Sequence, residues 1–143
     1  MPDILQTFPI RAAVGRVFEA ITTPAGLDAW WTLRSSGTPA PGAEYALWFG
    51  PEFDWRARVT ECAPGSVFEL ELVKADADWT GTRVGFRLEE RDGSTWVGFA
   101  HVGWPGANEH YSTSTHCWAL YLRLLRRYLE HGERVPYERR LLA

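Results

Sequence analysis

The sequence predicts an α+β fold: a curved antiparallel sheet of about six strands wrapped around a long C-terminal helix, with two short helices after the first strand. Three observations predict it. From Ala43 to Val102 the apolar residues alternate with a period of two. Asn108 to His131 then carries the longest helical pattern, with Tyr111, Thr115, Trp118, Leu122, Leu125 and Leu129 on one face. Strands in a run, each with one apolar face, need a cover, and the long helix is the only element large enough to provide it.

The elements follow in order. Ile4 to Ile10 reads as a strand, and Pro9 places it at a sheet edge or strand end. Val14, Val17, Phe18 and Ile21 give helical spacing from Ala12 to Ile21. Thr23 then serves as an N-cap with Pro24 at the first helical position, and Leu27, Trp30 and Trp31 make a second short helix. So close a pair should form a V. Arg34 to Gly42 is rich in Ser, Gly and Pro and reads as a loop. Strands follow at Ala43–Gly50, Trp55–Glu61, Val67–Val73, Thr82–Glu90 and Ser94–Val102. Asp92-Gly93 suits a tight hairpin between the last two. In the hairpin before it, placing Arg58 opposite Glu69 and Arg56 opposite Glu71 gives a solvent-face ion-pair ladder. Lys74 to Gly81 is a loop holding Asp76, Asp78 and Trp79. Gly132 caps the long helix, and a tail runs from Glu133 to Ala143.

Composition narrows the functional classes. The 143 residues suit one domain, 1–143, able to bury a core. A net charge of −3 and the lack of a basic stripe argue against nucleic acid; Arg123, Arg126 and Arg127 read as a solvated helix face. No apolar run approaches a membrane span, and the N-terminus lacks the pattern of a signal peptide. Cys62 and Cys117 form neither a disulfide framework nor a zinc spacing, so a reducing cytoplasm with two free thiols is the expected setting. The unusual feature is eight tryptophans and 14% aromatic residues. Such a surplus fits an aromatic-lined cavity, with a Trp-rich core as the competing reading.

The order of elements resembles the helix-grip fold of the START-like (SRPBCC) superfamily. The local sequence is similar to the branch related to the activator of the ninety-kilodalton heat-shock chaperone's ATPase. The matching residues are Val17-Phe18-Glu19-Ala20-Ile21 with Thr23-Pro24 and Leu27, the pair Trp30-Trp31, His101-Val102-Gly103-Trp104, and Trp118 to Arg123 in the long helix. The resemblance implies a cavity between sheet and long helix, and binding of sterols, lipids, polyketides or plant hormones, with a minority of cyclases and hydrolases. The eukaryotic co-chaperone has a further N-terminal domain, for which a chain whose first strand opens at Ile4 is expected to have no counterpart.

The expected function is binding of an apolar, lipid-like or aromatic small molecule. The long helix changes character along its buried face. Leu122, Leu125 and Leu129 form an apolar seam, whereas Tyr111, Ser114, Thr115 and Trp118 are polar-tipped and read as a pocket wall. Trp30, Trp31, Phe49, Trp55, Phe86, Phe99 and Trp104 complete the expected ligand-binding set. His101, on a strand face with Val97 and Phe99, points inward as a ligand donor or as the candidate catalytic acid/base of a cyclase or hydrolase, with Tyr111 or Tyr121 as donors. His110 belongs at the cavity mouth or in solvent. No metal triad, calcium loop, nucleophile elbow, P-loop or dinucleotide fingerprint is present, so neither a metal nor a cofactor is expected. A third reading is a chaperone-cofactor-like interaction module, with Leu120 and Leu124 as exposed contacts, packing under the tail or forming a homodimer.

Overall fold

A computed structural model of the chain describes residues 2–142; Met1 and Ala143, the outermost residues of the expected domain, lie outside the described residues. Strand β1 (Ile4–Ile10) precedes helices α1 (Val14–Thr22) and α2 (Pro24–Trp30). Six strands follow: β2 (Arg34–Ser36), β3 (Glu44–Trp48), β4 (Asp54–Ala63), β5 (Val67–Lys74), β6 (Arg83–Arg91) and β7 (Ser94–Val102). Helix α3 (Glu109–His131) and a 3-10 helix (Tyr137–Leu142) end the chain. The curved sheet is antiparallel throughout, in the order β1-β7-β6-β5-β4-β3-β2. Among the described residues no helix is long and apolar enough to cross a membrane.

Local chemistry explains the boundaries. The Thr23 N–H donates to Glu19 O at 3.0 Å and closes α1, while its hydroxyl accepts the Gly26 N–H at 3.0 Å and opens α2. A Cβ on Gly26 would sit 2.6 Å from the Ala20 Cα, so only glycine lets the two helices approach this closely. Asn108 caps α3 by accepting the Tyr111 N–H at 2.9 Å, and Gly132 ends it with φ 68°. Pro9 lies on the edge strand β1, where a missing N–H costs no ladder bond on the open side. Asp92 (φ 52°) and Gly93 (φ 81°) make the two-residue hairpin turn with both central residues left-handed.

Three expectations need correction. The sheet has seven strands, because Arg34–Ser36 pairs with β3 instead of looping free; three residues are too few to display a period. The Arg–Glu ladder is shifted: Arg58 faces Glu71, with Nη2 to Oε1 at 2.6 Å, and Arg56 faces Lys74. Irregularities at Arg56/Ala57 and Val59/Glu61 change the register, as bulges do. The tail is also structured, since Arg140 in its 3-10 helix is buried.

The core lies between the sheet's concave face, the two short helices and α3. Leu122, Leu125 and Leu129 are buried in it, as the seam predicts. Leu124 is buried too and belongs to the core, so it is not an exposed contact; Leu120 is half-buried. The apolar face of α3 is thus wider than a single stripe.

Candidate functional site: an aromatic cleft beside the long helix

The space expected between sheet and helix is filled by rings. Trp79, carried in by the β5–β6 loop, stacks on Trp118 with centroids 5.8 Å apart and planes at 17°. It also meets Trp55 at 4.9 Å and His101 at 4.5 Å. Trp118 packs on Phe99 at 4.6 Å and on Trp31 at 5.2 Å. Trp30 sits deeper, its indole N–H donating to Ala20 O at 3.0 Å and its ring edge-on to Phe86. The tryptophan surplus is therefore largely core.

His101 is fully buried and both its ring nitrogens are engaged. The Trp118 indole, which can only donate, donates to Nδ1 at 3.0 Å. The proton must then reside on Nε2, which donates to the Thr82 hydroxyl at 2.8 Å. Thr82 in turn donates to Trp79 O at 2.5 Å, and the Trp79 indole donates to Ser114 Oγ at 3.1 Å. This relay ties α3, β7 and the β5–β6 loop together. Burial, with nearby His110 adding to it, pulls the His101 pKa down to about 3. A neutral imidazole with no free nitrogen is poorly suited to proton transfer.

Open space lies at the flank of α3. A cleft of about 300 Å³ runs between α3, the β3–β4 connection, the β5–β6 loop and the 3-10 helix. Of the expected ligand-binding residues, Trp31, Phe49, Trp55, Ser114 and Trp118 line it. Trp30, Phe86, Phe99, His101 and Trp104 lie behind that wall, buried. Tyr111 instead donates its hydroxyl to Asp3 O at 2.8 Å, and Thr115 is exposed, bonded back to Tyr111 O at 2.9 Å.

Sequence reasoning missed the rest of the lining. Helix α3 presents His110, Thr113, Ser114, Cys117, Trp118 and Tyr121 to the cleft, an i, i+3, i+4, i+7, i+8, i+11 stripe. Of the expected wall, Ser114 and Trp118 belong to this stripe and Tyr111 and Thr115 do not. Phe53, Asp76 and Trp79 come from loops, and Tyr137 and Leu141 from the 3-10 helix. The 3-10 helix is anchored by Arg140, which donates to Asp28 O at 2.6 Å and Thr32 O at 3.0 Å, carbonyls at the end of α2. An isolated Trp in the polar segment Asp76 to Thr82 was the available signal, since so large an apolar ring seldom stays in water.

The polar groups of the cleft are few and specific. His110 Nδ1 lies 3.1 Å from Asp78 Oδ2, which also accepts from the Asn108 side chain at 3.3 Å. Burial raises the Tyr121 hydroxyl pKa to about 12, so it stays a neutral donor at physiological pH. Cys117 is a free, half-buried thiol whose pKa burial pushes up. Among the described residues no group of three or more potential ligands could hold a metal ion.

A curved antiparallel sheet gripping a long C-terminal helix defines a helix-grip protein. The chain belongs to the family described as Activator of Hsp90 ATPase homolog 1-like protein, whose model matches residues 11–130. It is similar to the Aha1 dimer of Colwellia psychrerythraea, solved in solution, with 28% identity and a TM-score of 0.84 over 93% of this chain and 99% of that one. CalU16 from Micromonospora echinospora shares the fold at 19% identity and a TM-score of 0.76, over 97% of this chain and 80% of that one. DynU16, of the dynemicin biosynthetic locus, does so at 21% identity and a TM-score of 0.76, over 92% of this chain and 48% of that one. No curated protein matches the sequence.

Proposed function

We propose that the protein binds a neutral, apolar small molecule, aromatic in character, in the cleft beside α3. The observation that carries this is a ring-lined space of about 300 Å³, at the lower end of the small-molecule range. Stacking on Trp31, Trp55, Phe49 and Trp118 would favour flat ligands. The two free thiols fit a reducing compartment, and the cytoplasm is the proposed location. Replacing Cys117 with Trp should fill the cleft from the helix side. We expect titration of the tryptophan fluorescence with 2-methylnaphthalene to give saturable quenching in the native chain, and at least about tenfold weaker binding in Cys117→Trp. The variant should retain its far-ultraviolet circular dichroism. Non-saturating quenching in the native chain, or unchanged affinity in the variant, would reject the cleft as the binding site.

A second reading is a chaperone-cofactor-like module acting as a homodimer. It is supported by the family match and by the likeness to the dimeric Aha1. It predicts a dimer mass in sedimentation velocity and stimulation of its host chaperone's ATPase. A monomer that leaves that ATPase unchanged would remove it.

A further inference from the structure

Resting on the cleft as a small-molecule site, we propose that its ligand is a hydroxylated aromatic, a phenol or enol, whose O–H donates to His110 Nε2. An ionised carboxylate can only accept hydrogen bonds. Asp78 Oδ2, 3.1 Å from His110 Nδ1, therefore requires the proton on Nδ1. The Asn108 amide, donating to the same oxygen at 3.3 Å, holds the carboxylate in place. When the ring carries that one proton, Nε2 presents a lone pair, and Nε2 has no protein partner among the described residues. His110 lines the cleft, and its ring is set edge-on to Trp104 with planes at 86°, which fixes its attitude.

The surroundings select the class of ligand further. Asp76 lines the cleft and Asp78 pairs with His110, so an anionic ligand would meet like charge. A neutral hydroxyl meets an acceptor instead. Trp55, Trp79 and Trp118 in the cleft wall suit the ring that carries the hydroxyl. An orienting carboxylate, an imidazole of fixed tautomer and a protic ligand form a hydrogen-bonded series. The same series would let His110 draw the hydroxyl proton toward itself, polarising the ligand without any covalent step.

The test uses the full chain, 2-naphthol, and 2-methoxynaphthalene, which has the same rings but no O–H. Affinities are read at pH 8.5, above the ordinary imidazole range, from shifts of the tryptophan indole N–H signals in two-dimensional nitrogen–proton spectra. The native chain should bind 2-naphthol about tenfold more tightly, the size expected of one good hydrogen bond. In His110→Phe, which keeps a ring against Trp104, the preference should vanish while affinity for 2-methoxynaphthalene stays within about twofold. Long-range nitrogen–proton spectra of the native histidines should show His110 with its proton on Nδ1, a readout that needs no variant. Equal affinities in the native chain, a preference that survives in His110→Phe, or a proton on Nε2 would each overturn the inference while leaving the cleft as a binding site. Failure of both probes to bind would overturn the cleft reading itself, and this inference with it.

Discussion

Replacing Trp118 with Ala is expected to cost about 3–5 kcal/mol of folding stability, the range for truncating a large buried aromatic. The ring is 1% exposed and packs on Trp31, Trp79, Phe99 and His101. Its removal also leaves His101 Nδ1 as a buried acceptor without a donor, a loss of about 1–3 kcal/mol when the site cannot rehydrate. The two contributions separate in Trp118→Phe. That variant keeps a ring in the space and loses the indole N–H, so it should cost mainly the second part. Urea unfolding followed by circular dichroism measures both. If Trp118→Phe were as stable as the native chain, the indole–imidazole bond would contribute nothing. If Trp118→Ala cost under about 1 kcal/mol, the ring would be surface rather than core. Trp118 is also the junction between core and cleft: one side of its environment is the sheet, and another is the lining of the open space.

The sequence made the sheet and the long helix readable because their periods are long and their caps are explicit. Five strands between Glu44 and Val102, the Thr23-Pro24 helix start and the Gly132 stop all follow from local chemistry. What stayed hidden was set by tertiary contacts. Strand β2 exists because three residues pair with Trp48, Leu47 and Ala46, and three residues carry no period. The 3-10 helix is held by Arg140 reaching carbonyls 108 and 112 positions away in sequence. The Arg58–Glu71 pairing depends on register irregularities that alternation alone does not reveal.

The candidate site was less legible than the fold, for a related reason. Helical spacing tells which residues share a stripe, not which stripe faces which neighbour. Tyr111 and Thr115 share a stripe with Trp118, yet the first bonds to Asp3 and the second to its own helix. The cleft takes Trp118 together with the flank that carries His110, Thr113, Cys117 and Tyr121, because the 3-10 helix and the Trp79 loop stand on that side of α3. His101 was read as inward-facing, and it is. Its role depended on whether anything already met its nitrogens, and Trp118 and Thr82 do. His110, read as mouth or solvent, lines the cleft with Asp78 behind it. Nothing in the spacing of residues 78 and 110 announces that pair.

Acid is expected to weaken the native fold through His101, with a slope that a His101→Asn variant lacks. The ordinary imidazole value of 6.5 falls to about 3 in the folded protein, because burial penalises the charged ring and His110 nearby adds to it. In the unfolded chain the ring is hydrated and titrates near its ordinary value. Between these two values the unfolded state binds more protons than the folded one, so falling pH favours unfolding. The stabilisation is complete above about pH 6.5 and diminishes toward pH 3, at up to about 1.4 kcal/mol per pH unit. Paired carboxylates add their own acid sensitivity, but they do so equally in both proteins. The informative quantity is therefore the difference between native and variant. His101→Asn should be less stable at pH 7, since its amide reaches one of the two partners at best. Lowering the pH from 7 to 5 should shrink that deficit by about 2 kcal/mol, because only the native chain carries the buried imidazole. Urea midpoints measured at half-unit intervals give both curves. Curves that run parallel from pH 7 to 5 would mean that His101 takes up a proton in the folded state as readily as in the unfolded one. The Trp118–His101–Thr82 relay would then not hold the ring neutral in the way its donors and acceptors require.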